Sequence, residues 1–573
     1  MFPRTPSRGM SLVDVLVGTA ITLIIFLALF GLLRASFLVS SLAKSKAVAT
    51  SIATSQMEYV RSLPYDSIGT VGGIPAGVIP QTATTTMNNL SYGVRTFIQY
   101  VDDPADGLGA LDQTGITTDY KQVKITVTYY TDGTAREVEL ISSQSPAGLE
   151  TTTGGGTLQI SVVDALGAGI AGATVDIDNP STAPAVNLTA FSNAAGLVYL
   201  PGAATSTDYR IVVTKAGYST AQTYARDATN QNPTPGYLTV AQNQTTASTF
   251  AIDVLAALTI RTFSPIVTAS FADTFADSSL LASLSSAAVS GGSVILATDA
   301  GGYLASGSAQ SQSVAPTYLA GWLSVEAVRS VSVNTNMRVR VVDSAGTPLP
   351  DAVLAGNVAG FTAFPIDLSG ISTTTYPTLA LAADLSTSLA TETPSLDSWN
   401  LNYRRGPIPL PNIAFDLQGA KTVGTTGAGA SIYKTEISDT TGASASKSLS
   451  LEWDAYQLDL AGYDVVDACG MPPYSLAPAA VVESSLVLGT NTAHSILVGV
   501  RDAGGAVVPG ASVTLARTGY TSTITGSSCG AASFGSLSSA SDYTITITKT
   551  GYTTTVFTNV SISGDTFYEA TFD

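Results

Sequence analysis

The sequence predicts a multidomain chain: one long amino-terminal helix with an α+β head, followed by a string of all-β sandwiches. Three observations predict it. Residues 15–33 form an apolar run without a charged side chain. Beyond residue 90, segments of strict period-2 alternation are punctuated by Gly and Asp turns, the mark of half-buried strands. And a block near residues 158–218 returns near residues 496–552. At 573 residues the chain has material for several such domains.

The apolar run explains the first element. Gly9 and Arg34 are separated by 24 residues, enough for a helix to cross a hydrocarbon core of roughly 30 Å. Arg4 and Arg8 precede the run, so the basic head stays in the cytoplasm and the rest of the chain lies outside it. Asp14 is the anomaly, because a carboxylate in a membrane span costs a few kcal/mol and usually has a partner and a task. A secretory signal peptide would be shorter and end in a small-residue cleavage site. A plain signal anchor accounts for the length and leaves the acid unexplained.

The pattern Ser7-Arg8-Gly9-Met10-Ser11-Leu12-Val13-Asp14 followed by the apolar run resembles the prepilin signal of type IV pilins and type II secretion pseudopilins. The resemblance implies cleavage between Gly9 and Met10 by a prepilin peptidase, methylation of the new amine, and retention of the helix. That family usually has Glu where Asp14 stands and often Phe where Met10 stands. In a filament the amine of one subunit would neutralise the Asp14 carboxylate of a neighbour in an apolar medium, where charge attraction is far stronger than in water.

The helix is expected to run on to Leu63, with Leu38, Leu42, Ala49, Ile52, Tyr59 and Leu63 on one face, and to stop at Pro64. Residues 64–150 then read as the pilin globular head with its linker. Leu90–Val101 and residues 120–129 alternate as strands, and Asp102, Asp103 and Asp106 lie in the acidic turn between them. That turn has carboxylates enough for Ca²⁺ but lacks the spaced EF-hand pattern, so a calcium site and an ordinary solvated turn both stay open. Residues 151–156, three Thr and three Gly, read as a linker.

Residues 151–256 and 488–573 hold the repeat. Leu158-Gln159-Ile160-Ser161-Val162-Val163-Asp164 returns as Ile496-Leu497-Val498-Gly499-Val500-Arg501-Asp502, and Lys215-Ala216-Gly217-Tyr218 as Lys549-Thr550-Gly551-Tyr552. Alternating strands with Gly and Asp turns make a small immunoglobulin-like sandwich, and the motifs resemble the carboxypeptidase regulatory-like (transthyretin-like) domain. A looser copy is expected over residues 406–487. Residues 257–405 differ and read as a larger jelly-roll or lectin-like sandwich. Sugar binding and a spacer role both remain open there, since fold alone does not license function.

Composition narrows the function. A net charge of −17 argues against nucleic acid as the main partner. Two cysteines and one histidine leave little for metal clusters or nucleophile–base pairs, and no cofactor is expected. Gly526-Ser527-Ser528-Cys529-Gly530 fits the nucleophile-elbow pattern but precedes a strand rather than the helix that motif needs. Gly167-Ala168-Gly169-Ile170-Ala171-Gly172 fits a dinucleotide fingerprint, yet it too leads into a strand and reads as a hairpin turn. Cys469 and Cys529 either form a bridge closing a loop of about 60 residues or stay as two buried thiols. The expectation is a non-enzymatic minor pilin-like subunit of a type IV pilus-type filament, held in the cytoplasmic membrane before assembly. Its expected partners are other pilin subunits, the prepilin peptidase/methyltransferase, and surface glycans or proteins reached by adhesive β-domains. The alternative is a pseudopilin of a secretion or DNA-uptake machine that uses the β-domains to bind cargo.

Overall fold

A computed structural model describes residues 12–105, 116, 118–131, 133–147 and 154–572, with the side chain of Asp14 left out. The chain divides into two compact units: residues 1–255 with Thr422–Lys434, and Ala256–Lys421 with Thr435–Asp573.

In the first unit a single helix spans Leu12–Ser62. It has two halves with different surroundings. Leu16, Ile24, Phe26, Phe30, Leu32 and Phe37 are all more than 60% exposed, so nothing in the described chain covers the first half. In the second half Ala49, Ala53, Met57 and Val60 are buried against a four-stranded antiparallel meander. This seam corrects the expected face, because Leu38 and Tyr59 are exposed. The reason is size: Ala49 and Ala53, one turn apart, let the sheet come close, and that row of contacts turns Tyr59 outward. The helix ends one residue before Leu63 and two before Pro64, whose ring cannot continue it.

The meander runs Thr82–Met87, Leu90–Val101, Tyr120–Thr131 and Thr134–Gln144 in sequence order. Asn88 and Asn89 close the first hairpin with φ of 52° and 63°, the positive pair that a two-residue turn requires. Val123, Ile125 and Val127 alternate inward to meet the helix, while Lys124 and Thr126 point out.

The first sandwich follows. One sheet sets Gly156–Val163 between Thr245–Ala251, parallel to it, and Leu197–Ala203. The other runs Ala221–Gln222, Ser206–Thr214, Thr174–Asn179, Val186–Phe191. The glycines expected to act as a linker have another use. A Cβ on Gly155 would stand 2.3 Å from the Ala203 carbonyl oxygen, and one on Gly156 2.2 Å from that of Ala241. They admit close backbone approach at the start of the first strand rather than lending slack. The unit also takes in the hairpin of residues 422–434, whose strand Thr422–Thr425 pairs with Asn232–Pro233.

In the second unit the last sandwich, Ser495 to Phe572, has the same topology as the first. Ser495–Arg501 lies between Asp565–Thr571, parallel to it, and Ala531–Phe534, and the facing sheet runs Thr555–Ile562, Ala540–Thr548, Ser512–Arg517, Tyr520–Thr525. The looser copy follows the same plan, but its first strand is not where the sequence placed it. Ala256–Ser264 pairs in parallel with Val481–Thr490 and antiparallel with Ser446–Leu451, and the facing sheet runs Glu436–Thr440, Ala414–Gly419, Asp454–Asp459, Tyr474–Leu476. The expected boundary at residue 406 is therefore corrected: this copy begins at Ala256. The larger sandwich is inserted between its first strand and the remainder. Its chain leaves after Ser264 and returns at Ile408, and those two residues pair.

The inserted sandwich packs a six-stranded sheet on a four-stranded one. Trp322 and Trp399 are buried at its centre, Trp399 edge-on to Phe275 at 5.4 Å, and the Trp322 indole donates to the Tyr376 carbonyl at 2.9 Å.

Candidate functional site

The bare half of the helix is the first candidate. It is the one described helix long and apolar enough to cross a membrane, with none of that stretch buried. Thr19 and Thr22 donate their hydroxyls to the Leu16 and Gly18 carbonyls at 2.9 and 2.7 Å, so their polar atoms are satisfied within the helix. That is what a hydrocarbon environment demands. Asp14 falls in the first turn of the helix. The predicted processing residues Gly9 and Met10 lie outside the described residues.

Where the helix ends, the head holds a buried amine that the sequence did not single out. Lys121 is 2% exposed, and its Nζ donates to the carbonyls of Tyr65 at 2.8 Å and Ile68 at 2.7 Å. The same nitrogen lies 4.4 Å from the Tyr65 ring centroid and 5.4 Å from that of Tyr100. Burial pushes the Lys121 amine down to about 8 and the Tyr65 phenol up to about 12. The lysine ties the turn after the helix to the third strand. Its place in the alternating run 120–129, where the inward positions are otherwise Val123, Ile125, Val127 and Tyr129, is the signal that it faces inward.

At the two described ends of the acidic turn, Asp102 and Asp119 are buried. Asp102 is 5% exposed and accepts the Tyr199 hydroxyl of the first sandwich at 3.3 Å. The Asp103 backbone N–H donates to the Asp119 carboxylate, and the Asp103 carboxylate accepts the Ala105 N–H at 3.0 Å. Asp106 lies outside the described residues. Among the described residues no group of three or more His, Cys, Asp or Glu is placed to hold a metal. Head and sandwich meet further along the same face. Arg95 donates to the Thr189 carbonyl and lies 4.4 Å over the Phe191 ring, and the Asn187 N–H donates to the Gly72 carbonyl at 2.8 Å.

In the second unit Cys469 and Cys529 are joined by a disulfide, with Cα atoms 5.0 Å apart. The bridge links the interrupted copy to the last sandwich, whose contact is partly apolar: Leu497 and Ala531 share the interrupted copy's core. Polar groups flank it. Ser527 donates to Asp467 at 2.6 Å, and buried Asp464 accepts both the hydroxyl of Thr492 at 2.7 Å and its backbone N–H at 3.0 Å. Asp565, bonded by Ser495 at 2.7 Å, has its carboxyl raised by burial, with Asp464 and Asp459 adding to the shift. His494 accepts the Gly564 N–H at Nδ1, 2.9 Å away, and so serves this junction. Gly526–Gly530 is a tight turn that contains the bridged Cys529 and is followed by a strand. Gly167–Gly172 begins in a turn gripped by Asp164, which accepts the Leu166 and Ala168 N–H groups at 2.8 Å each, and leads into the strand Thr174–Asn179.

Residues 495–573 match the family of carboxypeptidase regulatory-like domains. No characterised protein matches the sequence. Among solved structures, a similarity of 10% identity extends over 86% of this chain and 73% of the Bacillus anthracis TIE protein, with a TM-score of 0.15. BcpA, the major pilin subunit of Bacillus cereus, aligns at 9% identity over 73% of this chain and 99% of its own, with a TM-score of 0.14. A streptococcal ancillary pilin aligns at 8% over 73% of this chain and 99% of its own, with a TM-score of 0.13. At such TM-scores these likenesses carry no functional argument.

Proposed function

We propose that this chain is a non-enzymatic minor pilin-like subunit of a type IV pilus-type filament. It is held by its helix in the cytoplasmic membrane before assembly and carries its β-sandwiches outside the cell for adhesion. The observation that carries the reading is the division of one helix into two halves. The head buries the second half, and the first half presents a bare apolar surface about 45 Å long at the standard helical rise. Such a surface needs lipid or the helices of neighbouring subunits, and an acid in its first turn needs a countercharge there. A methylated amine on Met10 of an adjacent subunit supplies it.

The bulk of the appended sandwiches favours sparse or terminal incorporation, since a 100-residue domain has a radius of gyration of about 13 Å. Mass spectrometry of the mature amino terminus tests the processing step. The expected product begins at methylated Met10, and an intact Met1 leaves only an anchored surface protein. Asp14→Ala should abolish entry into filaments while leaving membrane insertion intact. Immunogold labelling at filament tips is expected; labelling confined to the envelope would instead favour the secretion-machine alternative.

A further inference from the structure

The inserted sandwich carries a polar groove of about 400 Å³ on the outward face of its four-stranded sheet. Strand register sets the groove's floor. Arg338 on Thr335–Val342 stands opposite Asp384 on Ala380–Thr387, which stands opposite Ser308 on Ser306–Ser311. One rung along, Asn336, Ser386 and Ser306 are aligned in the same way. Alternation puts all six side chains on one face, because their neighbours Met337, Val339, Ala383 and Leu385 fill the core.

Two features distinguish this face from an ordinary solvated one. First, its guanidinium groups are held in place. Arg338 Nη1 donates to the Ala359 carbonyl at 2.7 Å and Arg340 Nε to the Val358 carbonyl at 3.0 Å. The loop that supplies both carbonyls lies flat on the arginine stems only because Gly360, at φ +81°, has no side chain. A Cβ there would stand 2.9 Å from the Arg338 Cβ. Second, the groove's charge is unbalanced. Arg340 pairs with Asp384, whereas no ion pair is found for Arg338 among the described residues. A guanidinium held in place and without an ion pair among the described residues is a site for an anion.

We propose that this groove binds an acidic polysaccharide, Arg338 taking a sugar carboxylate and the serines and Asn336 taking neighbouring hydroxyls. The inference rests on the reading that the sandwiches lie outside the cell. A protein partner would want apolar or aromatic anchors, and the face of the groove offers none. Nucleic acid would want aromatic faces to stack its bases, and the lining of the groove has none.

The test uses the full chain in detergent micelles and affinity electrophoresis through gels holding polygalacturonate, its fully methyl-esterified form, or poly-L-glutamate. At low salt the apparent Kd for polygalacturonate should be at least tenfold below that for the ester. Arg338→Gln should remove that preference and Arg338→Lys should keep part of it, with unfolding temperatures unchanged. Arg136→Gln, at an exposed arginine of the head, should change nothing. Equal binding of acid and ester, equal loss from Arg136→Gln, or poly-L-glutamate bound as well as the sugar would each overturn the proposal. Asn336→Ala, which leaves the charge alone, should weaken binding severalfold; no change would remove the hydroxyl-reading part and sink a sugar site. Because the assay needs no filament, a failure of the pilus reading would appear as an intact Met1 and leave this result standing.

Discussion

The first sandwich and the interrupted copy have one topology and differ in continuity. In the first, the strand Gly156–Val163 continues directly through its turn into Thr174–Asn179. In the other, 143 residues of a different sandwich intervene between Ser264 and Ile408. The parallel pairing of first and last strands survives in both. So does the tyrosine that locks a corner: Tyr209 donates to the Ala204 carbonyl at 2.9 Å and Tyr456 to the Glu452 carbonyl at 3.0 Å. The last sandwich repeats it with Tyr543 and Ser538 at 2.9 Å. An insertion is tolerated here because its two ends leave and re-enter as paired neighbours, so closing the excursion costs the copy little extra entropy.

One position separates the copies more sharply. The residue that opens the strand after the turn is Gly196 in the first sandwich and Gly530 in the last, at φ +79° and +71°. In the interrupted copy it is Ala445 at φ +54°. The three are equivalent by hydrogen bonding, since their carbonyls accept the N–H groups of Val162, Val500 and Thr262 in turn. Left-handed backbone costs a residue with a Cβ roughly 1–2 kcal/mol. The interrupted copy therefore carries a strain that the continuous copies avoid.

The largest expected effect concerns the bridge between the interrupted copy and the last sandwich. The Cys469–Cys529 bridge closes a loop of about 60 residues and should contribute about 4 kcal/mol on the chain-entropy account. Replacing both by Ser should lower the denaturant midpoint of the interrupted copy and the last sandwich together. A shift confined to one of them would break the claim that the bridge serves as their common tie. The first sandwich should not respond.

Next comes the exchange at the strand-opening position. Gly196→Ala should destabilise the first sandwich by more than about 2 kcal/mol, strain being joined by a clash. Its Cβ would stand 2.3 Å from the Val162 carbonyl oxygen. Ala445→Gly should instead stabilise the interrupted copy by about 1 kcal/mol. Chemical denaturation of the two variants decides it, and equal signs would refute the comparison. Tyr209→Phe and Tyr456→Phe should each cost about 1 kcal/mol, the ordinary worth of one hydrogen bond. A much larger loss in the interrupted copy would mean that its corner carries more than the pairing of its strands implies.

The smallest effect is a pH dependence. Asp565 faces Ser495 and Asp464, with Asp459 and His494 near by, and burial raises its carboxyl above the ordinary range. Its protonated form is thus favoured by folding. Its contribution is fully present below the unfolded carboxylate pKa and is lost as pH rises through the raised folded value. Asp565→Asn should remove that component, so the difference in unfolding temperature between parent and variant should grow as pH rises out of the carboxylate range. No such component belongs to the first sandwich, where Thr245 stands at the position of Asp565.

Much of this was legible in the amino acids alone. Apolar run, helix stop, alternating strands and the doubled sandwich all follow from periodicity and turn residues, because these are local. Even Ala256–Ser264 was legible as a strand, alternating as Leu158–Val162 does. What it pairs with was not, because a partner more than 180 residues away leaves no local trace. Tertiary packing alone decided that one sandwich is threaded into another and that Lys121 is sealed between two tyrosine rings. It also set Asp102 against Tyr199 and lined up Arg338, Asp384 and Ser308 across three strands. Periodicity reports which face of a strand is buried. Register reports which side chains meet, and register is fixed by contacts that exist only once the chain has folded.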